Sequence, residues 1–310
     1  MRPPASPAAA PAAPPAPTDL PPFAARAVLW MLASCVFFAF MALTVGAAND
    51  RAPELHVATA SLFRAGTNLL AVALIGRFDR RALLGDGRLA LWTRGIWGSA
   101  SLLTFFGALS LLDIGQSAFL NYTSAFWVAA LGPLVLKERT PPLVWLAVAG
   151  SAVGVLLLSE PRAGDGLGRA FGLASGLFVA FAYLSVRRAA ATNGPVAIVF
   201  YFTMIATAVC AVWTFALDLP LPRDGEVIAL LMASGLCATA GQLLMTRAYQ
   251  LGRAAPVAAA GAFGPLLTTL LGALGLGQLP DLRQGLGMLV LLVSAVLLPL
   301  LSERRASAPE

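Results

Sequence analysis

The sequence predicts an all-α polytopic membrane protein whose ten transmembrane helices form two inverted five-helix repeats. Three observations carry that expectation: apolar blocks long enough to cross a bilayer, basic residues gathered in alternate connecting segments, and a shift that lays one half of the chain on the other. Of 310 residues, 58% are hydrophobic and only 12% charged, where a soluble domain carries about 25% charged residues. The apolar residues fall in blocks of roughly 20, the helix length that spans ~30 Å of hydrocarbon. The net charge of +6 does not point to nucleic acid, because the arginines are spread between the blocks and form no single basic patch.

Residues 1–24 are a proline/alanine tract without an apolar signal core, and their prolines forbid a helix. A disordered cytoplasmic tail is expected there. Ten apolar blocks then follow at about 25–47, 57–76, 94–112, 116–136, 143–159, 169–187, 195–217, 226–250, 254–277 and 284–302. The separators NDRAPE, GRFDRRALLGDGR, LLDIG, KERTPP, SEPRAGDG, RRAAATNGP, LDLPLPRDGE, LGRAAP and LPDLR hold the helix breakers and most of the charges. Residues 303–310 form a short carboxy-terminal tail. Taking alternate segments from the amino terminus, one side collects 15 of the 21 Lys+Arg and the other collects 5, with Arg64 left over inside a block. By the positive-inside rule the basic side and both termini are expected in the cytoplasm, and a multi-pass place in the inner (plasma) membrane is expected.

A shift of 140 residues aligns 103–158 with 243–298 without a gap, pairing Ala108 with Ala248, Ala118 with Ala258, Gly132 with Gly272 and Leu136 with Leu276. The shift covers five spans, an odd number, so the repeats 25–159 and 169–302 are expected in opposite orientations. Inverted repeats are the plan of secondary transporters, with a substrate site near midplane.

SLFRAG in the second block, NYTSAFWVAALGPLVLKER closing the fourth and WLAVAGSAVGVLLL after it resemble the drug/metabolite transporter superfamily, in its EamA branch. AAPVAAAGAFGPLLTTLLGALGLGQ and GLGMLVLLVSAVLL repeat the pattern in the second half, so the likeness covers about 25–302. The resemblance implies a carrier of small organic molecules, often an exporter. It also implies a proline within each of the fourth and ninth helices and an acid 13 positions later. Here Ala125 stands for the first proline and Gln278 for the second acid, while Glu138 and Pro265 are kept. A symmetric gate built on both acids is therefore not expected.

Candidate binding residues are polar side chains at membrane depth, where lipid offers no partner. Ser61, Arg64 and Asn68 share one stripe of the second helix. Arg64 has two readings, a pin that hydrogen-bonds neighbouring helices or a cationic wall of a substrate cavity. Asn121 and Tyr122 open the polar stretch NYTS, and Trp97, Tyr183 and Gln242 sit inside helices three, six and eight, each with packing as the alternative role. Glu138, Arg247 and Pro265 are gating or structural candidates, Glu138 as half of an ion pair with Arg139 and Arg247 as a snorkelling cation.

Catalysis finds no paired buried carboxylates, Walker loop or metal cluster, so neither an enzyme nor a cofactor is expected. His56 is the sole histidine, and Cys35, Cys210 and Cys237 lie in apolar blocks without ligand spacing. The expected function is secondary transport of a small polar or amphipathic organic metabolite by alternating access, with export favoured. Import of a vitamin or nucleotide-like cofactor, a non-transporting membrane scaffold or regulator, and, least favoured, an intramembrane enzyme are the alternatives. No carboxylate or histidine lies at depth, so exchange or facilitated diffusion is expected over proton coupling. The expected partners are the substrate, the lipid bilayer and, as a candidate, a second copy in a homodimer.

Overall fold

The computed structural model describes residues 25–112, 117, 120–138, 140, 142–159, 166–276 and scattered positions between 281 and 293. Both tails and most of the tenth block lie outside the described residues. Every regular element among the described residues is a helix, as hydrocarbon requires of an open chain whose backbone groups must pair internally. In order they are α1 (Ala25–Arg51), α2 (Val57–Gly76), α3 (Arg80–Leu84), α4 (Leu89–Leu109), α5 (Ser124–Val135), α6 (Pro142–Ser159), α7 (Gly166–Ala189), α8 (Pro195–Ala216), α9 (Gly225–Leu251), α10 (Ala254–Gly261) and α11 (Phe263–Leu276). Six stretches are long and apolar enough to cross a membrane: α1, α2, α7, α8, α9 and the run Ala254–Gly272. The chain is a multi-pass membrane protein.

Local chemistry sets the helix ends. His56 caps α2 by accepting the Ala58 amide at Nδ1 (3.1 Å), Asp224 caps α9 through the Glu226 amide (2.8 Å), and Pro195 occupies the first turn of α8, where its missing N–H costs nothing. The short α3, inside the basic loop, was not expected; Asp79 caps it through the amides of Arg81 and Ala82. The turn after α3 is tied to the α7–α8 turn. Asp86 accepts from the Thr192 hydroxyl (2.7 Å) and the Arg88 amide (3.0 Å), and its own amide donates to Asn193 Oδ1 (2.8 Å). Burial pushes the Asp86 carboxyl up, but these donors together with Arg88 outweigh it and hold the group below its ordinary value.

The helices pair across the two halves of the chain. α1 lies along α9, α4 along α7 and α2 along α8, with secondary packing of α2 on α9, α4 on α8, α5 on α7, and α1 on α10 and α11. Buried hydroxyls stitch these seams: Ser34 donates to the Gly241 carbonyl (2.9 Å), and Thr239 donates to Asn68 Oδ1 (3.0 Å). Such bonds between membrane helices contribute about 0.6 kcal/mol each. Large apolar side chains, among them Leu29, Phe40, Leu70, Val212, Phe215 and Leu236, remain exposed on the outside, a surface suited to lipid.

Two expected spans are interrupted. The ninth breaks at Ala262, between α10 and α11. Pro265 lacks an N–H and cannot reach back four residues to the Gly261 carbonyl, which instead accepts a bond from the Cys35 thiol (3.6 Å). The fourth breaks at Thr123 without any proline. The Thr123 hydroxyl bonds the Leu120 carbonyl at 2.6 Å, taking an acceptor that would otherwise continue the helix. Ala125 therefore does not prevent a break where the resemblance implied a proline. Pro133 instead lies inside α5.

Candidate functional site

The two interruptions face one cavity of about 550 Å³, within the range of small-molecule sites. It is walled by α1, α2, α4, α7, α8 and α9 and by the broken segments. Arg64, Asn121, Tyr122, Tyr183, Gln242 and Pro265 of the expected candidates all line it. Asn68 and Trp97 do not. Asn68 is buried against Thr239 between α2 and α9. Trp97 packs against the rings of Phe178 and Phe181, at 5.6 and 5.2 Å between centroids.

Arg64 projects from α2 toward the cavity, partly exposed to it, and its hydrogen bond to a side chain is Nη1 to the Met41 sulfur at 3.6 Å, a weak acceptor. A second arginine stands in the same cavity. Arg94, which opens the third apolar block and is counted among the 15 cations of the basic side, lies in the second turn of α4 and is only 4% exposed. Because α4 begins at Leu89, Arg94 sits a full turn inside the helix and does not belong with the loop charges. The basic side keeps 14 cations after the loss of one from 15, so the charge asymmetry survives.

Arg94 is held on two sides. Nη2 donates to Gln242 Oε1 at 3.1 Å, and the guanidinium lies 4.0 Å from the Phe202 ring centroid, a cation–π geometry. Gly98, one turn on, leaves room for this stack, since a Cβ there would run into Arg94 Nη1 and the Phe202 ring. Asn121 adds to the polar wall, and its side-chain amide donates to Ser175 Oγ (3.0 Å). The GLASG stretch makes that contact possible: a Cβ on Gly176 would fall 2.7 Å from the Leu120 carbonyl oxygen, so glycine lets α7 approach the broken segment. No aspartate, glutamate or histidine lines the cavity among the described residues.

Glu138 and Arg247 lie elsewhere. Glu138 is 5% exposed and its partner is Arg187 (Oε1 to Nε, 2.9 Å), while Arg139 lies outside the described residues. Oε2 accepts the Ala254 amide at 2.9 Å, so one carboxylate ties the segment after α5 to α7 and to the start of α10. Arg247 donates to Gln250 one turn on (2.8 Å), and Gln250 donates to the Asn193 carbonyl (3.0 Å). The three cysteines are free thiols, and no cluster of metal-ligating residues occurs among the described residues.

A bundle of apolar helices enclosing a polar, cationic cavity defines the class of small-molecule membrane carriers. The EamA-like transporter family model matches residues 25–160 and again 166–300, and the chain belongs to that family. It is 28% identical over 275 residues to the pseudopaline exporter CntI of Pseudomonas aeruginosa, covering 87% of this chain and 94% of that one. It is 25% identical over 219 residues to a riboflavin transporter of Rhizobium johnstonii, covering 70% and 72% of the two chains. It is 21% identical over 254 residues to human solute carrier family 35 member G1, covering 76% and 68%. A solved crystal structure with 15% identity superposes with a TM-score of 0.79 over 91% of this chain and 99% of the other, a likeness of fold.

Proposed function

We propose that this protein is a secondary transporter, not an enzyme, that moves a small polar or amphipathic organic metabolite across the inner membrane by alternating access. The observation that carries the reading is the cavity itself: arginine, asparagine, tyrosine and glutamine side chains drawn from both halves of the chain converge on one space of about 550 Å³. A scaffold gains nothing from such a space, whereas a carrier needs it. Export is favoured by the high-coverage relative named as an exporter. Vitamin import is the second reading, on the riboflavin-transporter relative.

The transport cycle follows from a ten-span, two-repeat reading. Exchanging the halves maps α1 on α9 onto α7 on α4, maps α2 on α9 onto α8 on α4, and returns α2 on α8 to itself. This pairing pattern supports two related repeats, as does the match of the family model to each half, and an odd number of spans per repeat gives them opposite orientations in this reading. Broken helices at corresponding places then set the site near midplane. The lack of a titratable carboxylate or histidine in the described cavity wall favours exchange or facilitated diffusion. In this reading both termini lie in the cytoplasm, on the side that the basic segments favour.

The test is counterflow in proteoliposomes loaded with a bacterial cell extract, read by mass spectrometry of the exchanged solutes. One or a few solutes should cross only when the protein is present. Passage of none, from either direction of loading, would leave a scaffold as the better reading.

A further inference from the structure

The geometry points to a cargo with two anionic groups: the cavity is a two-cation receptor in which Arg64 and Arg94 each take one carboxylate of a small organic dianion. The inference rests on the carrier reading and adds the substrate's charge to it. Its basis is a charge imbalance. Arg64 reaches the cavity from α2 and Arg94 from α4, and their hydrogen-bonding and ring partners, Met41, Gln242 and Phe202, are all neutral. The ion pairs Arg51–Glu226, Arg88–Asp86 and Arg187–Glu138 all lie outside the cavity wall. Two guanidinium charges thus share one cavity without a counter-charge among the described residues of its wall. Each is costly to hold away from water without a counter-charge, and a ligand bearing two negative charges relieves both.

The donors suit carboxylates. A guanidinium presents five N–H groups in a planar fork and accepts nothing, so it recognises paired oxygens. Arg94 uses one N–H on Gln242 and one face on Phe202, which orient the fork and leave its other donors for a ligand. Arg64, with the Met41 sulfur as its side-chain acceptor, is the freer of the two. Phe38, Phe105, Tyr122 and Tyr183 line the same cavity and supply flat ring surface for the body of the solute. A monoanion would satisfy one arginine and leave the other charged and unmatched.

The test compares acids that differ by one carboxylate: glutarate with glutaramate, 2-oxoglutarate with 2-oxoglutaramate, and phenylsuccinate with 3-phenylpropionate. Each is titrated against the purified full chain in detergent, with thermal stabilisation and calorimetry as readouts. In at least one pair the dicarboxylate should bind about tenfold or more tightly than its monoanion, the scale of one charge-assisted contact. Arg64→Gln and Arg94→Gln should each bring that ratio close to one. Should either fail to fold, Arg64→Lys and Arg94→Lys keep the charge but lose the fork, and should lower the ratio only in part. Equal binding within all three pairs, or a ratio that survives both arginine replacements, would overturn the proposal. Counterflow of neutral or cationic solutes alongside silent dicarboxylates would do the same and leave the carrier reading intact. Charge-selective binding without any counterflow would retain the receptor and remove the carrier.

Discussion

Replacing Glu138 should destabilise the protein more than replacing any exposed ion-pair member. The carboxylate and the Arg187 guanidinium have side chains only 4% and 2% exposed. Glu138→Ala leaves the guanidinium buried without its counter-charge, a change that costs about 3–5 kcal/mol. It also orphans the Ala254 amide, now bonded to Oε2. Arg187 Nη2 already lacks a hydrogen-bond partner, so no second acceptor stands ready to take over. For a chain of this size a loss of 3 kcal/mol lowers the unfolding midpoint by roughly 6–12 °C. Glu138→Gln retains an acceptor for Ala254 and should cost about 1 kcal/mol less than the alanine change. Glu138→Leu combined with Arg187→Met should recover most of the loss, because it removes both charges together. Breaking the exposed Arg51–Glu226 pair, by contrast, should move stability by no more than about 1 kcal/mol. Fluorescence-monitored unfolding in detergent reads all of these. An alanine variant within about 1 kcal/mol of the parent, or a double variant no better than the single ones, would refute the reasoning.

Three further outcomes follow from the site and the charge pattern. Arg64→Ala should insert and fold yet weaken binding of the transported solute, with Arg64→Lys rescuing part of it; lower expression and midpoint with normal affinity would mark the residue as a pin between helices. Gly98→Ala places a methyl group against Arg94 Nη1 and the Phe202 ring, so solute affinity should fall about tenfold with little change in unfolding midpoint, and unchanged affinity would contradict the role given to the stack. Cysteines at Arg88 and at Leu221, both exposed, should react with impermeant reagents from opposite sides of the membrane, Arg88→Cys from the cytoplasm; reaction of both from one side would sink the topology.

Periodicity and charge carry most of the fold because lipid removes alternatives: a long apolar block has little choice but to be a helix. Helix ends are therefore legible wherever a breaker sits between blocks, as at Pro195 or Asp224. What the sequence obscures are features that depend on a partner in space. Arg94 looks like a loop charge because it stands at the edge of an apolar block, and only the start of α4 at Leu89 reveals it as a wall residue. Its signal was present in the spacing Arg94–Gly98, one helical turn with room for the side chain. Glu138 has an arginine next to it in sequence, yet its partner comes from α7, 49 residues away. The break at Thr123 likewise arises from a hydroxyl competing for a backbone carbonyl, where a proline rule sees nothing. Asn68 and Arg64 share a helical stripe, but the packing of α9 claims the asparagine and leaves the arginine to the cavity.

Alternating access itself is tested most directly at Thr268, on the cavity wall in α11. In a background with Cys35, Cys210 and Cys237 replaced, Thr268→Cys is exposed to a membrane-impermeant thiol reagent from one side of sealed vesicles and then from the other. The account predicts modification from either side, slowed in both cases by the solute found in the counterflow screen. Modification from one side only, or from both at rates the solute leaves unchanged, would contradict it.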